Sequence, residues 1–376
     1  DPCTGFIPHT LDDVVYDSVD ARLTAKMHKA IAVIQCKLEG QLLARHPEYG
    51  MDDRLLLDKI DYEKGTCLIG GKRYSMRECY FPTIDPADPY KLSVEESEVI
   101  ERIAHSFTTS EKLQRHIRCL LDKGSMYLVY NGNLLFHASI PMNADGTLKE
   151  VYLYDGYYKG RALLDKVDSL IRHACNPDCE PQLHAFAVDY LWYLWCGKDA
   201  PTFDKDRMAT FERYFLKDKA VMKENKGSYY TLRNEDSTAD LLLSEFGVEG
   251  AHRHIINGHI PVKTLKGENP MKASGRLIVI DGGFSKPYQS TTGIAGYTLV
   301  YHSRGMQLVE HQPFTSAEEA IRGGADIKST RHLVEKHSER IHVGDTDKGR
   351  DIRLRIESLR KLLYAYRTGI IREAQK

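Results

Sequence analysis

Two stretches of this 376-residue chain run alike: Asn133-Leu134-Leu135-Phe136-His137-Ala138-Ser139-Ile140-Pro141 and His254-Ile255-Ile256-Asn257-Gly258-His259-Ile260-Pro261-Val262. Each carries a short, wholly apolar run into a histidine and then a proline. An apolar run of that length bounded by turn formers reads as a strand buried on both faces. Proline ends such a ladder because it has no N–H to give. The pattern predicts a sheet whose edge presents two imidazoles on rigid platforms, as a ligand position requires. For a lone histidine among the 16 in the chain, a satisfied core hydrogen bond is the first reading; two matching strand ends bring the ligand reading level with it. Gly258 is expected to allow close backbone approach. His254, five residues before His259, sits inside the strand and is read as packing there.

Around these strands the pattern alternates. Leu23, Met27, Ile31, Ile34, Leu38 and Leu42 predict one amphipathic helix, followed by hairpins over 55–76 broken by Glu63-Lys64-Gly65 and Gly70-Gly71. Ser93-Val94-Glu95-Glu96 is a capping box, and Ser110 caps a second helix that stops at Gly124. Asn131-Gly132 joins 126–130 to 134–137 as a hairpin, expected to be a central ladder. Residues 160–247 read as largely helical, with strands returning at 254–256, 276–280, 295–301 and 306–310, all expected in one sheet system. From Ser316 the chain reads as a charged, helical tail. The division is 1–124 as a helical and hairpin layer, 125–142 with 250–313 as a sheet core, 143–249 as a mostly helical insertion, and 314–376 as the tail. Such interleaving points to a layered α/β fold.

Composition narrows the function. Lys+Arg number 52 against 53 Asp+Glu, interleaved, so no sequence-wide field attracts nucleic acid or an anionic membrane. No apolar run approaches the roughly 18 residues that span a bilayer. The eight cysteines are scattered through apparent helices and strands, which is the usage of a reducing cytoplasm. His173, Cys175 and Cys179 offer three soft ligands where a structural zinc takes four, and Asn176-Pro177-Asp178 reads as a plain turn. The cluster Phe186, Tyr190, Trp192, Tyr193 and Trp195 has the spacing of a helix core rather than of a sugar platform. Asp1-Pro2-Cys3 shows no Met start, so the chain is expected to begin inside a longer product.

With the two histidine motifs stand Leu277-Ile278-Val279-Ile280-Asp281-Gly282-Gly283 and further strings: Ala25-Lys26-Met27-His28-Lys29-Ala30-Ile31, Tyr80-Phe81-Pro82-Thr83-Ile84-Asp85-Pro86, Lys123-Gly124-Ser125-Met126-Tyr127-Leu128, Phe211-Glu212-Arg213-Tyr214-Phe215 and Gly293-Ile294-Ala295-Gly296-Tyr297. In this order they resemble class III fructose-1,6-bisphosphatases of the Firmicutes and Bacteroidetes type, within the calcineurin-like metallophosphoesterases. The resemblance implies a layered β-sandwich with large helical insertions. It also implies a dinuclear divalent-metal centre, Mn²⁺ by expectation, that removes the 1-phosphate of fructose 1,6-bisphosphate in gluconeogenesis. His137 and His259 match the family's fourth- and fifth-motif ligands. Lys286 and Tyr288, in the loop 281–293 that overhangs the metals in related phosphatases, and Lys263 are the implied substrate contacts.

The superfamily's Asp-x-His, Gly-Asp-x-x-Asp-Arg-Gly and Gly-Asn-His-Asp/Glu strings do not occur in these residues. Gly344-Asp345-Thr346-Asp347-Lys348-Gly349-Arg350 echoes the second with the wrong spacing and is read as a decoy. The chain is therefore expected to be a C-terminal portion, inactive alone, with the general acid and remaining ligands outside it. Its expected partner is a phosphorylated sugar, with no nucleic acid and no membrane; a second copy of the chain stays open. The other readings are a protein or dinucleotide phosphatase of the same superfamily, or an inert regulatory or oligomerisation module.

Overall fold

The computed structural model describes residues 21–283, 285–313, 316–323 and 328–371. The chain divides into two units, Asp1–Ser125 with Leu148–Gly227, and Met126–Thr147 with Ser228–Lys376. The first opens with α1 (Ala21–Arg45). The helix forms where the apolar spacing predicts it, and Ile34 and Leu42 of the predicted stripe are buried, but over its first turns it buries a different face. Leu23 and Met27 are more than half exposed, while Ala25, Ala32, Val33, Lys29 and Lys37 are buried. Two ammonium groups can sit in that face because each is neutralised. Lys29 Nζ lies 2.6 Å from Glu78 Oε1, and Lys37 Nζ donates to Glu96 Oε2 at 2.8 Å and to the Thr83 carbonyl at 2.6 Å. A periodicity scan that counts only apolar residues passes over such a face.

The predicted hairpins form β1 (Ile60–Asp61), β2 (Thr66–Ile69) and β3 (Lys72–Ser75), an antiparallel sheet. Its buried Cys67 joins Leu56, Leu57, Phe81, Phe211 and Phe215 in one core. Helix α2 (Val94–Thr109) carries the full capping box, with Ser93 Oγ accepting from Glu96 N–H and Glu96 accepting from Ser93 N–H. Helix α3 (Glu111–Lys123) is capped by Ser110 as expected. Residues 126–147 give the second unit its hairpin, β4 (Tyr127–Tyr130) and β5 (Asn133–Phe136). The chain then returns to the first unit with β6 (Val151–Leu153), β7 (Gly156–Tyr158), α4 (Gly160–Ala174), α5 (Pro181–Cys196) and α6 (Thr210–Phe215). On α5, Phe186, Tyr190 and Tyr193 are buried and stack in sequence, a core rather than a sugar platform.

The second unit continues through α7 (Tyr229–Leu232), α8 (Asp236–Glu245), β8 (His254–Asn257), β9 (Met271–Lys272), β10 (Leu277–Val279), α9 (Lys286–Thr292), β11 (Gly296–His302), β12 (Gly305–His311), α10 (Ala317–Gly323), β13 (Ser329–Lys336) and α11 (Asp347–Arg367). A five-stranded sheet runs β4-β5-β8-β10-β9, and β11-β12-β13 form a separate three-stranded sheet. The single sheet system expected from the pattern is thus two. The hairpin is an edge rather than a central ladder, since β4 is the outermost strand and largely exposed. Strand β13 replaces part of the expected helical tail, because pairing along β12 satisfies a polar, half-exposed strand that carries no apolar alternation. The turn between β4 and β5 places Asn131 at φ 49° and Gly132 at φ 76°. Gly132 is also needed for space, as a Cβ there would stand 2.8 Å from the His252 carbonyl oxygen.

Within the first unit, Arg54 is held by Glu212 in a two-armed pair, Nη1 to Oε1 at 2.6 Å and Nη2 to Oε2 at 2.9 Å, with Glu212 fully buried. Removing one partner of such a pair strands a charge in the interior. Glu212→Ala is expected to destabilise this unit by about 3–5 kcal/mol. Tryptophan fluorescence during urea denaturation checks it, because both tryptophans, Trp192 and Trp195, lie on α5 of the same unit.

Candidate metal centre

Strands β5, β8 and β10 are parallel neighbours, with Asn133 opposite His254 and Leu277 opposite Ile255. That register brings the carboxyl ends of three buried strands to one sheet edge, the position where open α/β sheets bind ligands. His137 follows β5 by one residue, His259 follows β8 by two and Asp281 follows β10 by two. Backbone hydrogen bonds join the three turns: Gly258 N–H donates to the His137 carbonyl at 2.9 Å, Ile280 N–H to Asn257 at 2.9 Å, and Val262 N–H to Asp281 at 2.8 Å. Beneath them the buried Asn257 Nδ2 donates to the Ala138 carbonyl at 3.0 Å and to Tyr229 Oη at 2.7 Å.

The two predicted histidines meet here, His137 Nε2 lying 3.2 Å from His259 Nδ1. Two imidazole nitrogens on one ion at about 2.1 Å stand roughly 3.0–3.4 Å apart, so the pair is spaced to share a divalent cation in place of a proton. The chemistry also fits, since neutral imidazole suits Mn, Fe and Zn. Two nitrogens are half of a ligand set. Among the described residues no third His, Cys, Asp or Glu brings a donor atom within 4.8 Å of both.

The turn that delivers His259 is strained. Ile260 N–H donates to the Gly258 carbonyl at 2.9 Å, closing a three-residue turn whose middle residue, His259, has φ 68°. This is the rare hand of the γ-turn, unfavourable for any residue with a Cβ. The close backbone approach expected at Gly258 does not require a glycine: a Cβ there would meet Asp281 Cβ at an ordinary 3.5 Å. The unusual backbone belongs to the histidine itself.

Asp281 is the residue that sequence reasoning passed over, although its place past β10 repeats that of His259 past β8. It accepts from Gly283 N–H at 2.9 Å and acts on His137 through its charge. Burial of the surrounding protein pulls the His137 pKa below the ordinary imidazole value, while Asp281 pulls it up less strongly. The ring is thereby biased toward its neutral form, with a lone pair to offer.

The remaining predicted residues fall around this edge. Lys263 follows Val262 directly, and its N–H donates to Glu268 Oε2 at 3.1 Å. The glycine-rich segment 281–293 is not an open loop, because Lys286–Thr292 forms the short helix α9. Tyr288 on α9 is about half exposed, with its Cβ 2.7 Å from the position a Gly283 Cβ would take. Lys286 opens α9 and its side chain, like Phe284, lies outside the described residues. Gly282 has no room for a side chain, since its Cβ would lie 2.5 Å from Gly296 Cα. The 344–350 echo is structural: Asp347 caps the hairpin turn, accepting from Asn131 N–H at 2.6 Å and donating its own N–H to Asn131 Oδ1 at 2.9 Å. In the first unit, Cys179 Sγ touches His173 Nδ1 at 3.4 Å, but Cys175 is exposed, and they form no three-ligand group among the described residues.

The chain belongs to the Firmicute fructose-1,6-bisphosphatase family, whose model matches residues 1–368. It is 58% identical over 375 residues to the class 3 fructose-1,6-bisphosphatase of Phocaeicola vulgatus, covering 99% of this chain and 56% of that protein. To the proteins of the same name from Parabacteroides distasonis and Clostridium novyi it is 56% and 50% identical, over 100% and 99% of this chain and 57% and 56% of theirs. No solved structure matches. The expected match to a C-terminal portion alone gives way to a family match along residues 1–368. The chain spans about 56% of the length of such relatives. The expectations that it lacks the family's upstream motifs and is inactive alone find no support in these matches.

In metal-stripped protein, NMR titration of the histidine ring protons should place the His137 midpoint below 6.5. Asp281→Asn should lower it further, because the substitution removes the charge that raises it. A midpoint that rises or stays put in Asp281→Asn would show that the carboxylate does not act on this ring.

Proposed function

We propose that the protein hydrolyses the 1-phosphate of fructose 1,6-bisphosphate at a dinuclear divalent-metal centre to which this chain contributes His137 and His259. The observation that carries the reading is the convergence of these two side chains, 122 residues apart in sequence, to 3.2 Å at the carboxyl ends of the parallel strands β5 and β8. The name of the relatives supplies the substrate. Bound divalent metal, Mn²⁺ in our reading, supplies charge that neutralises the phosphoryl oxygens and the leaving alkoxide.

The chain's own residues perform the positioning. His137 and His259 present ring nitrogens from strand ends, so little reorganisation is needed when the ion arrives. Asp281 accepts the Gly283 N–H and keeps negative charge beside His137, favouring a cation there. Lys263, Lys286 and Tyr288, placed by the segments that flank Asp281, are our choice for the contacts to the sugar phosphate. We read 125–142 and 250–313 as the metallophosphoesterase core, a calcineurin-like sandwich built on the five- and three-stranded sheets. In this reading 1–124, 143–249 and 314–376 are its layer, insertion and tail. The reaction belongs to gluconeogenesis. A reducing cytoplasm suits the seven free cysteines among the described residues, and no described helix is long and apolar enough to cross a membrane.

The test is phosphate release by the purified protein with Mn²⁺, comparing fructose 1,6-bisphosphate with a phosphopeptide and a dinucleotide. The sugar bisphosphate should be preferred. His259→Ala and His137→Ala should each lose more than the 10–100-fold that outer partners of a metal cost, with circular dichroism unchanged. His254→Ala should cost far less activity. Near-normal turnover and metal content in both His137→Ala and His259→Ala would remove the site, and preference for the phosphopeptide or dinucleotide would remove the substrate.

A further inference from the structure

At the other end of β8 lies a second gathering of donors that the proposed reaction does not use. His252 precedes the strand, His254 opens it, Glu335 sits near the end of β13 and His337 follows that strand. His259 is five residues past His254, roughly 15 Å along an extended chain. His252 Nδ1 lies 2.5 Å from Glu335 Oε1, the His252 and His337 rings meet edge to face with centroids 4.3 Å apart, and one donor atom from each of His252, Glu335 and His337 falls within 4.8 Å of the others.

The burial of His337 is what demands an explanation. It is only 4% exposed, and among the described residues neither ring nitrogen has a hydrogen-bond partner. Burying polar atoms unpaired costs about 1–3 kcal/mol for each group, and a lone pair facing a carboxylate and a second imidazole has an obvious use. We propose that His252, Glu335 and His337 form a zinc-type metal site separate from the His137–His259 pair. Two imidazoles and one carboxylate make a borderline donor set that suits Zn²⁺ over the oxygen-seeking Mg²⁺ and Ca²⁺. The 2.5 Å contact is the proton-filled form; with an ion at about 2.1 Å from each donor it opens to roughly 3.4 Å.

His254 Nε2 stands 3.6 Å from Glu335 Oε2 and serves as the carboxylate's outer partner, orienting it as outer groups orient metal ligands. Of the three ligands only Glu335 lines the adjoining cleft of about 360 Å³, which also holds Arg253 and Arg276; solvent reaches the site through the half-exposed His252, which leaves a fourth position to water. The ion would clasp β8 of one sheet to β13 of the other across 83 residues of sequence, and because it binds the folded form it raises stability by mass action.

The experiment uses the EDTA-stripped protein titrated with Zn²⁺, and separately with Co²⁺ as a spectroscopic reporter of four-coordination. Wild type should gain a tightly bound equivalent and a rise in Tm. His337→Gln should lose that equivalent and the Zn²⁺-dependent rise, with affinity down at least 100-fold, while His259→Ala keeps both. Phosphatase activity of His337→Gln at saturating Mn²⁺ should be unchanged. Glu335→Gln, which keeps the size of the side chain and a hydrogen bond to His252, provides the same test should His337→Gln fold poorly. Zinc stoichiometry and Tm response equal to wild type in the folded variants, or no Zn²⁺-dependent rise in wild type, would overturn the site and leave His252–Glu335 as a proton-sharing pair.

Discussion

The parallel pairing of β5, β8 and β10 is the constraint on which the site depends. In a parallel ladder all strands end on the same side, so residues that follow each strand by a similar interval share an edge whatever their distance in sequence. Asn133 opposite His254 fixes His137 against His259, and Leu277 opposite Ile255 adds Asp281. A shift of one residue in either register would exchange the two buried faces of that strand and move the residue that follows it away from the shared edge. The wholly buried Leu134, Ile255, Leu277, Ile278 and Val279 prevent this, so the apolar strands act on the site through register rather than through contact.

The first unit solves a different problem, that of placing charge inside. Lys29, Lys37 and Glu212 are all buried, and each has a partner of opposite sign at hydrogen-bond distance. Glu96 belongs to two such arrangements, capping α2 while accepting from Lys37. Burial works to raise its pKa, but the hydrogen bonds from Lys37, Thr83 and Ser93 outweigh it and hold the carboxyl below the usual range. Helix start and interhelix pairing thus share one carboxylate, which joins α1 to α2.

Much of this was legible beforehand, and the exceptions have physical causes. The hairpin at Asn131-Gly132 and the capping box at Ser93 are local chemistry, so a few residues suffice to read them. The convergence of His137 and His259 was legible because each follows an apolar strand, the strongest short-range signal in the chain. Strand β13 was hidden because Ser329–Lys336 is charged and half exposed, so its only evidence is the partner strand β12. The buried face of α1 was legible at Ile34 and Leu42 but hidden where Lys29 and Lys37 occupy it. His252, Glu335 and His337 were passed over for a similar reason: their grouping exists only once β8 and β13 have been brought together, and no window of sequence contains it.

The γ-turn at His259 has a consequence for how this protein can change. A residue with a Cβ at φ 68° holds about 1–3 kcal/mol of conformational strain, and glycine in its place would relax the turn. Selection for stability alone would therefore erode this position, drawing it toward glycine or asparagine, whereas an imidazole is what the neighbouring His137 needs. Among lineages that have lost the proposed metal pair, this turn is where sequence drift should begin.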